Sequence, residues 1–91
     1  MKYNVIIKNR FMKNLRKCVK RGLDENLLWN VVNMLANGQQ LEPKYKDHRL
    51  HGKYKEYREC HIENDWLLIY KIEDDKLILT LTDTGSHSDL F

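Results

Sequence analysis

The order of patterns along the chain predicts an α+β domain in which a helical hairpin covers one face of a mainly antiparallel, twisted sheet. Three observations carry the prediction. A short β-branched run opens the chain, two segments with helical spacing follow it, and the second half holds three runs of strand character. The resulting order is β-α-α-β-β-β. At 91 residues this is one domain, 1–91, with a single modest core.

The first strand is Tyr3-Asn4-Val5-Ile6-Ile7-Lys8. Asn9 stands where a cap would begin the first helix. Phe11, Leu15, Cys18 and Val19 then recur at i, i+4, i+7 and i+8, with lysines and arginines on the other faces, and Gly22 ends the helix. Asp24 is the expected N-cap of a second helix, with Leu23 and Leu28 spaced as a hydrophobic staple. Its stripe is Leu28, Val31, Val32 and Leu35, widened by Leu27 and Met34, and Gly38 stops it. The short link between the two makes them an antiparallel hairpin.

Residues 39–53 show no clean period, contain the sole proline, and read as an irregular surface loop carrying His48 and His51 among cations. Two strands follow with a tight acidic corner between them. Before the corner, alternation puts Arg58, Cys60 and Ile62 on one face and Tyr57, Glu59, His61 and Glu63 on the other. After it, Trp66-Leu67-Leu68-Ile69-Tyr70 is apolar on both faces, as a central strand should be. Glu73-Asp74-Asp75-Lys76 reads as a hairpin turn into a last strand, Lys76–Thr82, with Leu77, Leu79 and Leu81 on one face. Residues 84–91 form a polar bend ending in Phe91.

With 42% hydrophobic and 32% charged residues, the chain is too apolar for disorder and too charged for a membrane protein. No apolar run approaches the roughly 20 residues of a membrane span, and no signal-peptide core opens the chain. Cys18 and Cys60 lie far apart in apolar-patterned positions, which fits two buried free thiols in a reducing cytoplasm better than a disulfide or a metal site. The modest net charge of +3 hides polarity along the chain. Residues 1–21 carry Lys2, Lys8, Arg10, Lys13, Arg16, Lys17, Lys20 and Arg21 with no acid, whereas the segment after residue 58 is strongly acidic. Such basic segments attract polyanions, and a solvated helix face explains many of them equally well.

The central pair places His61 and Asp65 on rigid backbone, a platform for proton transfer and equally a place for a structural ion pair of His61 with Glu59 or Glu63. The sheet face away from the helices would present His61, with His48, His51 and His87 near its rim. Histidines with basic flanks suit an RNA backbone. RNA carries its own nucleophile, the 2′-OH. A protein then needs only to remove that proton, stabilise the phosphorane charge and protonate the leaving 5′ oxygen, which His, Asp, Lys and Arg can do without a metal or other cofactor.

Four stretches carry a family resemblance: Lys46–Gly52, Tyr57–Ile62, Asp65–Tyr70 and Gly85–Phe91. In this order and spacing the chain resembles the YafQ branch of the RelE-type toxins of bacterial toxin–antitoxin systems. The resemblance implies a RelE-like fold and a cytoplasmic endoribonuclease that cleaves mRNA on the 70S ribosome and stops translation. It also implies a cognate antitoxin that holds the toxin inactive, with operator DNA bound only through their complex. Carried over by motif, His48, His61, Asp65 and His87 correspond to catalytic residues, and Phe91 to an aromatic suited to stacking on a base. The resemblance makes His87 the general acid, with His61 and Asp65 forming or orienting the base. Lys46, Arg49, Lys53 and Arg58 are the cations expected to hold substrate. Two departures stand out. Asp83 occupies a position where relatives commonly carry arginine, and His51 one where lysine is usual. An acid near the phosphoryl transition state repels it, so Arg58, Lys46 or Lys53 must supply the charge, or cleavage is weakened. The alternative reading is a non-catalytic basic module that binds RNA or the ribosome.

Overall fold

The computed structural model describes residues 1–91. Strands β1 (Asn4–Ile7), β2 (His48–Arg49), β3 (Arg58–Glu63), β4 (Trp66–Glu73) and β5 (Ile78–Gly85) form one sheet in the order β1-β5-β4-β3-β2. β1 pairs parallel to β5, and every other pair is antiparallel. Helices α1 (Asn9–Lys20) and α2 (Glu25–Ala36) cover one face, and a single helical turn, α3 (His87–Leu90), closes the chain. No helix is long and apolar enough to cross a membrane.

The expected helical hairpin on a mainly antiparallel sheet is what forms, with the core between them. Phe11, Leu15 and Cys18 of α1 and Leu28, Val31, Val32 and Leu35 of α2 pack on Cys60, Ile62, Trp66, Leu68, Tyr70, Leu79 and Leu81 of the sheet. Val19 and Leu27, expected on these stripes, are exposed, because each sits at the margin of a stripe narrower than the sequence suggests. Asp24 caps α2, its carboxylate accepting from the Asn26 amide at 3.0 Å. Asn9 caps nothing. Lys8 holds that place because its extended backbone still donates to the Leu81 carbonyl, so the helix starts directly off the strand. At the other end of α1 the amides of Gly22 and Leu23 return to the carbonyls of Val19 and Cys18, the bond pair that lets glycine terminate a helix. Cys18 and Cys60 are both free and buried, and burial pushes both thiols above their ordinary pKa.

The loop before β3 is more ordered than its sequence indicates. Residues Pro43–Tyr45 and Gly52–Tyr54 make 3-10 turns, and β2 between them pairs His48 with Glu59 and Arg49 with Arg58. A second difference lies at the β4–β5 turn. Leu77 is exposed and left-handed (φ 54°), since it closes the turn ahead of Ile78 rather than starting the strand. β5 also runs further than expected, to Gly85. Opposite Ile69 and Tyr70, the register steps from Asp83 to Leu81, leaving Thr82 as one extra residue.

Candidate active site

The open sheet face is organised by one row of register partners, His48, Glu59, Ile69 and Asp83, running across β2, β3, β4 and β5. The next row joins His61, Leu67 and Gly85. Adjacent strands lie roughly 4.8 Å apart, so the histidines of the loop, of β3 and of the tail converge on one end of this face.

Glu59 is at the centre. It is 5% exposed, and its Oε1 lies 3.6 Å from Nε2 of His61 and 3.7 Å from Nε2 of His48. A buried carboxylate needs such partners, because an uncompensated charge there is costly. The His48 ring is fixed from its other side by a 2.8 Å contact between Nδ1 and the Lys46 carbonyl. His87 faces His61 edge-on, with ring centroids 5.8 Å apart. Asp65 at the β3–β4 corner accepts from the His87 amide at 3.0 Å and meets its Nδ1 at 2.6 Å. Asp65 therefore orients His87 and not His61, and the carboxylate beside His61 is Glu59. That pairing leaves Nε2 of His87 on the side of the ring away from Asp65.

The tail that carries His87 is docked against α1 and the β3–β4 corner. Ser86 accepts from the Asp89 amide at 3.1 Å while Asp89 Oδ2 accepts from the Ser86 amide at 2.9 Å, a reciprocal cap. Arg21 at the end of α1 grips the Asp89 carboxylate at 2.6 Å. Gly85 permits this closeness: a Cβ there would come within 2.9 Å of Asp89 Cβ, and its φ of +155° disfavours L side chains. Arg21 first, then the Ser86 amide, hold the Asp89 carboxyl well below the usual range; the His87 amide and ring lower Asp65 likewise. Both folded pKa values are depressed, so tail docking is fully favoured above the ordinary aspartate value of about 3.9 and weakens as pH falls below it. Protection of the Leu90 and Phe91 amides, relative to their intrinsic exchange rates, should fall selectively as pH drops from about 4 to about 2. An equal fall in protection across β4 would contradict this order of release.

The expected cations divide. Lys46 lines an open groove with Lys44 and His61. Arg49 and Lys53 are exposed on the loop, with the Lys53 amine 5.2 Å from the Tyr54 ring. Arg58 is elsewhere. It shares the helix-side face with Cys60, and its guanidinium bonds Asp47 at 3.1 Å, next to the hydrogen bond from the Tyr70 hydroxyl to the same carboxylate. Phe91 is exposed and packs edge-on against Tyr54, centroids 6.2 Å apart. Asp83 is buried and matched: Arg10 reaches Oδ2 at 3.0 Å, while Asn14 (2.6 Å) and the Thr84 amide (2.9 Å) reach Oδ1.

Arg10 and Tyr54 received no role from the sequence, and Glu59 only that of a possible ion-pair partner of His61. Alternation already placed Glu59 on the face of His61, which was the available signal; nothing in the sequence joins Arg10 to Asp83. Donor atoms of Glu59, His61 and His87 lie within 4.8 Å of one another, a set that fits a transition metal such as copper or zinc.

Chemically, the arrangement is one that can carry out acid–base chemistry: an oriented imidazole, a second imidazole beside a buried carboxylate, and cations at the margin. A profile of the family described as a bacterial toxin of type II toxin–antitoxin system, YafQ, matches residues 3–91. The mRNA interferase toxin YafQ of Escherichia coli K12 is 40% identical over 83 residues, covering 90% of this chain and 88% of that protein. Among solved structures, a metal-bound toxin from Helicobacter pylori is 46% identical with a TM-score of 0.90, over 98% of this chain and 99% of that one. YafQ in the E. coli DinJ–YafQ toxin–antitoxin complex is 36% identical with a TM-score of 0.89, over 100% and 99%. The chain belongs to the YafQ family of bacterial type II toxins.

Proposed function

We propose that the protein is an mRNA endoribonuclease that arrests translation, acting in the cytoplasm on mRNA held by the ribosome and silenced by a cognate antitoxin. The observation that carries this is the convergence of His61, His87 and Glu59, with Asp65 fixing His87. His87 Nε2 donates the proton to the departing 5′ oxygen. The His61–Glu59 pair takes the 2′-OH proton. Lys44 and Lys46 in the groove beside His61 draw the phosphate backbone onto the site. The Asp83 carboxylate, the main argument for a non-catalytic module, carries its own countercharge in Arg10 and does not confront the phosphate as a free anion.

The activity of the E. coli relative named an mRNA interferase and the DinJ complex support this reading. Its test is purified toxin, freed of antitoxin, added to translating ribosomes with a defined mRNA. Attack by the 2′-OH leaves 2′,3′-cyclic or 3′-phosphate ends and 5′-hydroxyls. Intact mRNA would overturn the nuclease, and 5′-phosphate ends would overturn the mechanism. Since the nucleophile belongs to the RNA, toxin stripped of transition metals with EDTA and then freed of the chelator should still cleave on ribosomes kept in Mg²⁺. Copper or zinc should slow it, because a metal on Glu59, His61 and His87 would occupy the acid and base. Loss of cleavage on metal removal would reverse that assignment.

A further inference from the structure

We propose that Arg21 is a positioning residue for the cleavage reaction, holding the general acid His87 in place through Asp89 and the Ser86 amide. The proposal rests on the nuclease reading and adds to it what keeps the acid at the leaving oxygen. His87 stands on α3, a single turn of four residues that buries none of its side chains. Helices so short do not hold themselves, so the seat of His87 comes from the groups that tie the turn down. On one side Asp65 takes the His87 amide and Nδ1. That tie runs through the catalytic group itself, to a carboxylate that is 61% exposed. On the other side stands Arg21.

The anchor is fixed at its root. Arg21 closes α1, its amide donating at 3.1 Å to the carbonyls of Lys17 and Cys18, and Cys18 is buried in the core. Nη1 and Nη2 of Arg21 donate to Oδ2 and Oδ1 of Asp89 at 2.6 and 3.2 Å, a two-point grip that sets the plane of the carboxylate as well as its position. The same Oδ2 accepts from the amide of Ser86, the residue before His87. The peptide that carries the acid is therefore clamped from both sides, by Arg21 and Asp89 at Ser86 and by Asp65 at the His87 amide. Arg21 and Asp89 are partly exposed, at 50% and 34%, so their pairing adds little to global stability. Its effect falls on where His87 sits. The acid step breaks the P–O5′ bond as the Nε2 proton passes to O5′, and a misplacement of about 1 Å costs such a step on the order of 10²-fold. A lysine in place of Arg21 would keep the charge and lose the two-point grip.

The test has two arms. The first needs no activity: amide exchange is followed by NMR in wild type, Arg21→Met and Lys20→Met, the last removing an exposed neighbouring charge as a control. Arg21→Met should lower protection of the His87, Leu90 and Phe91 amides roughly tenfold, leave β4 unchanged, and move the thermal midpoint by less than about 5 °C. Lys20→Met should change none of these. An undisturbed tail in Arg21→Met overturns the proposal. In the second arm, single-turnover cleavage is measured on saturating ribosome-bound mRNA carrying either oxygen or a bridging sulfur at the 5′ position of the mapped cut. A thiolate leaves without a proton donor, so sulfur bypasses the general acid. Arg21→Met should be about 10- to 100-fold slow on the oxygen substrate and near wild type on sulfur, as His87→Ala should be, with Arg21→Lys intermediate on oxygen. The half-saturating ribosome concentration should not move. Equal slowing on both substrates, or weaker binding at an unchanged rate as a phosphate contact would give, overturns the proposal. Sulfur that rescues neither variant removes His87 as the acid and the proposal with it. Wild type that cuts nothing would instead count against the nuclease reading, leaving the exchange arm to decide whether Arg21 holds His87.

Discussion

Replacing His87 by alanine is expected to lower mRNA cleavage by about 10²- to 10⁴-fold, the range for removing a positioned general acid. The fold should be untouched, because the side chain is 56% exposed and its one close partner is the equally exposed Asp65. Rate and stability therefore separate in this variant: single-turnover cleavage falls while the thermal midpoint stays put. Asp65→Asn should lose less, since the imidazole survives with a weaker hold on its Nδ1 tautomer. Cleavage by His87→Ala at the wild-type rate would move the acid to another residue, His48 or His61 being nearest to Glu59.

Trp66→Ala should have the largest effect on stability. Trp66 is 2% exposed at the start of β4, and its indole N–H donates to Thr84 Oγ1 at 2.9 Å, which in turn donates to the Leu67 carbonyl at 2.6 Å. Truncating a fully buried aromatic costs about 3–5 kcal/mol, a large share of the roughly 5–15 kcal/mol that holds a domain folded. Trp66→Phe keeps much of the buried area and loses the N–H donor, a cost nearer 1 kcal/mol. Urea denaturation of the two variants checks the ordering. A loss below about 1 kcal/mol for Trp66→Ala would mean that the core closes over the gap. Because Asp65 is the preceding residue, a loosened Trp66 should also release His87.

The parts of this fold that could be read from sequence are those whose evidence is local. The stripe of Phe11, Leu15 and Cys18, the Asp24 cap, and the alternation through Glu59, Cys60, His61 and Ile62 each lie within one element, and each is realised. What escaped the reading joins distant residues. Parallel pairing of β1 with β5 depends on the chain returning past two helices. Arg10 and Asp83 meet only because β1 ends early and leaves the start of α1 beside β5. Arg58 shows the converse: a cation with the right neighbours in sequence turns to the helix side and is bound by Asp47. The carboxylates changed partners for the same reason. Asp65, close to His61 along the chain, bonds a histidine delivered by the tail, and the group near His61 is one residue type that patterning treats as solvent-facing.

The extra residue in β5 sets the phase of everything after it. Ahead of Thr82, odd-numbered positions point into the core, as Leu79 and Leu81 do; beyond it, Thr84 points inward to meet Trp66. Without that half-period slip, strict alternation would drive Asp83 under the helices and turn Thr84 out. Gly85 would exchange sides as well, and the tail would leave the sheet facing away from His61. A chain lacking this one residue would keep every histidine and carboxylate of the site and have no site.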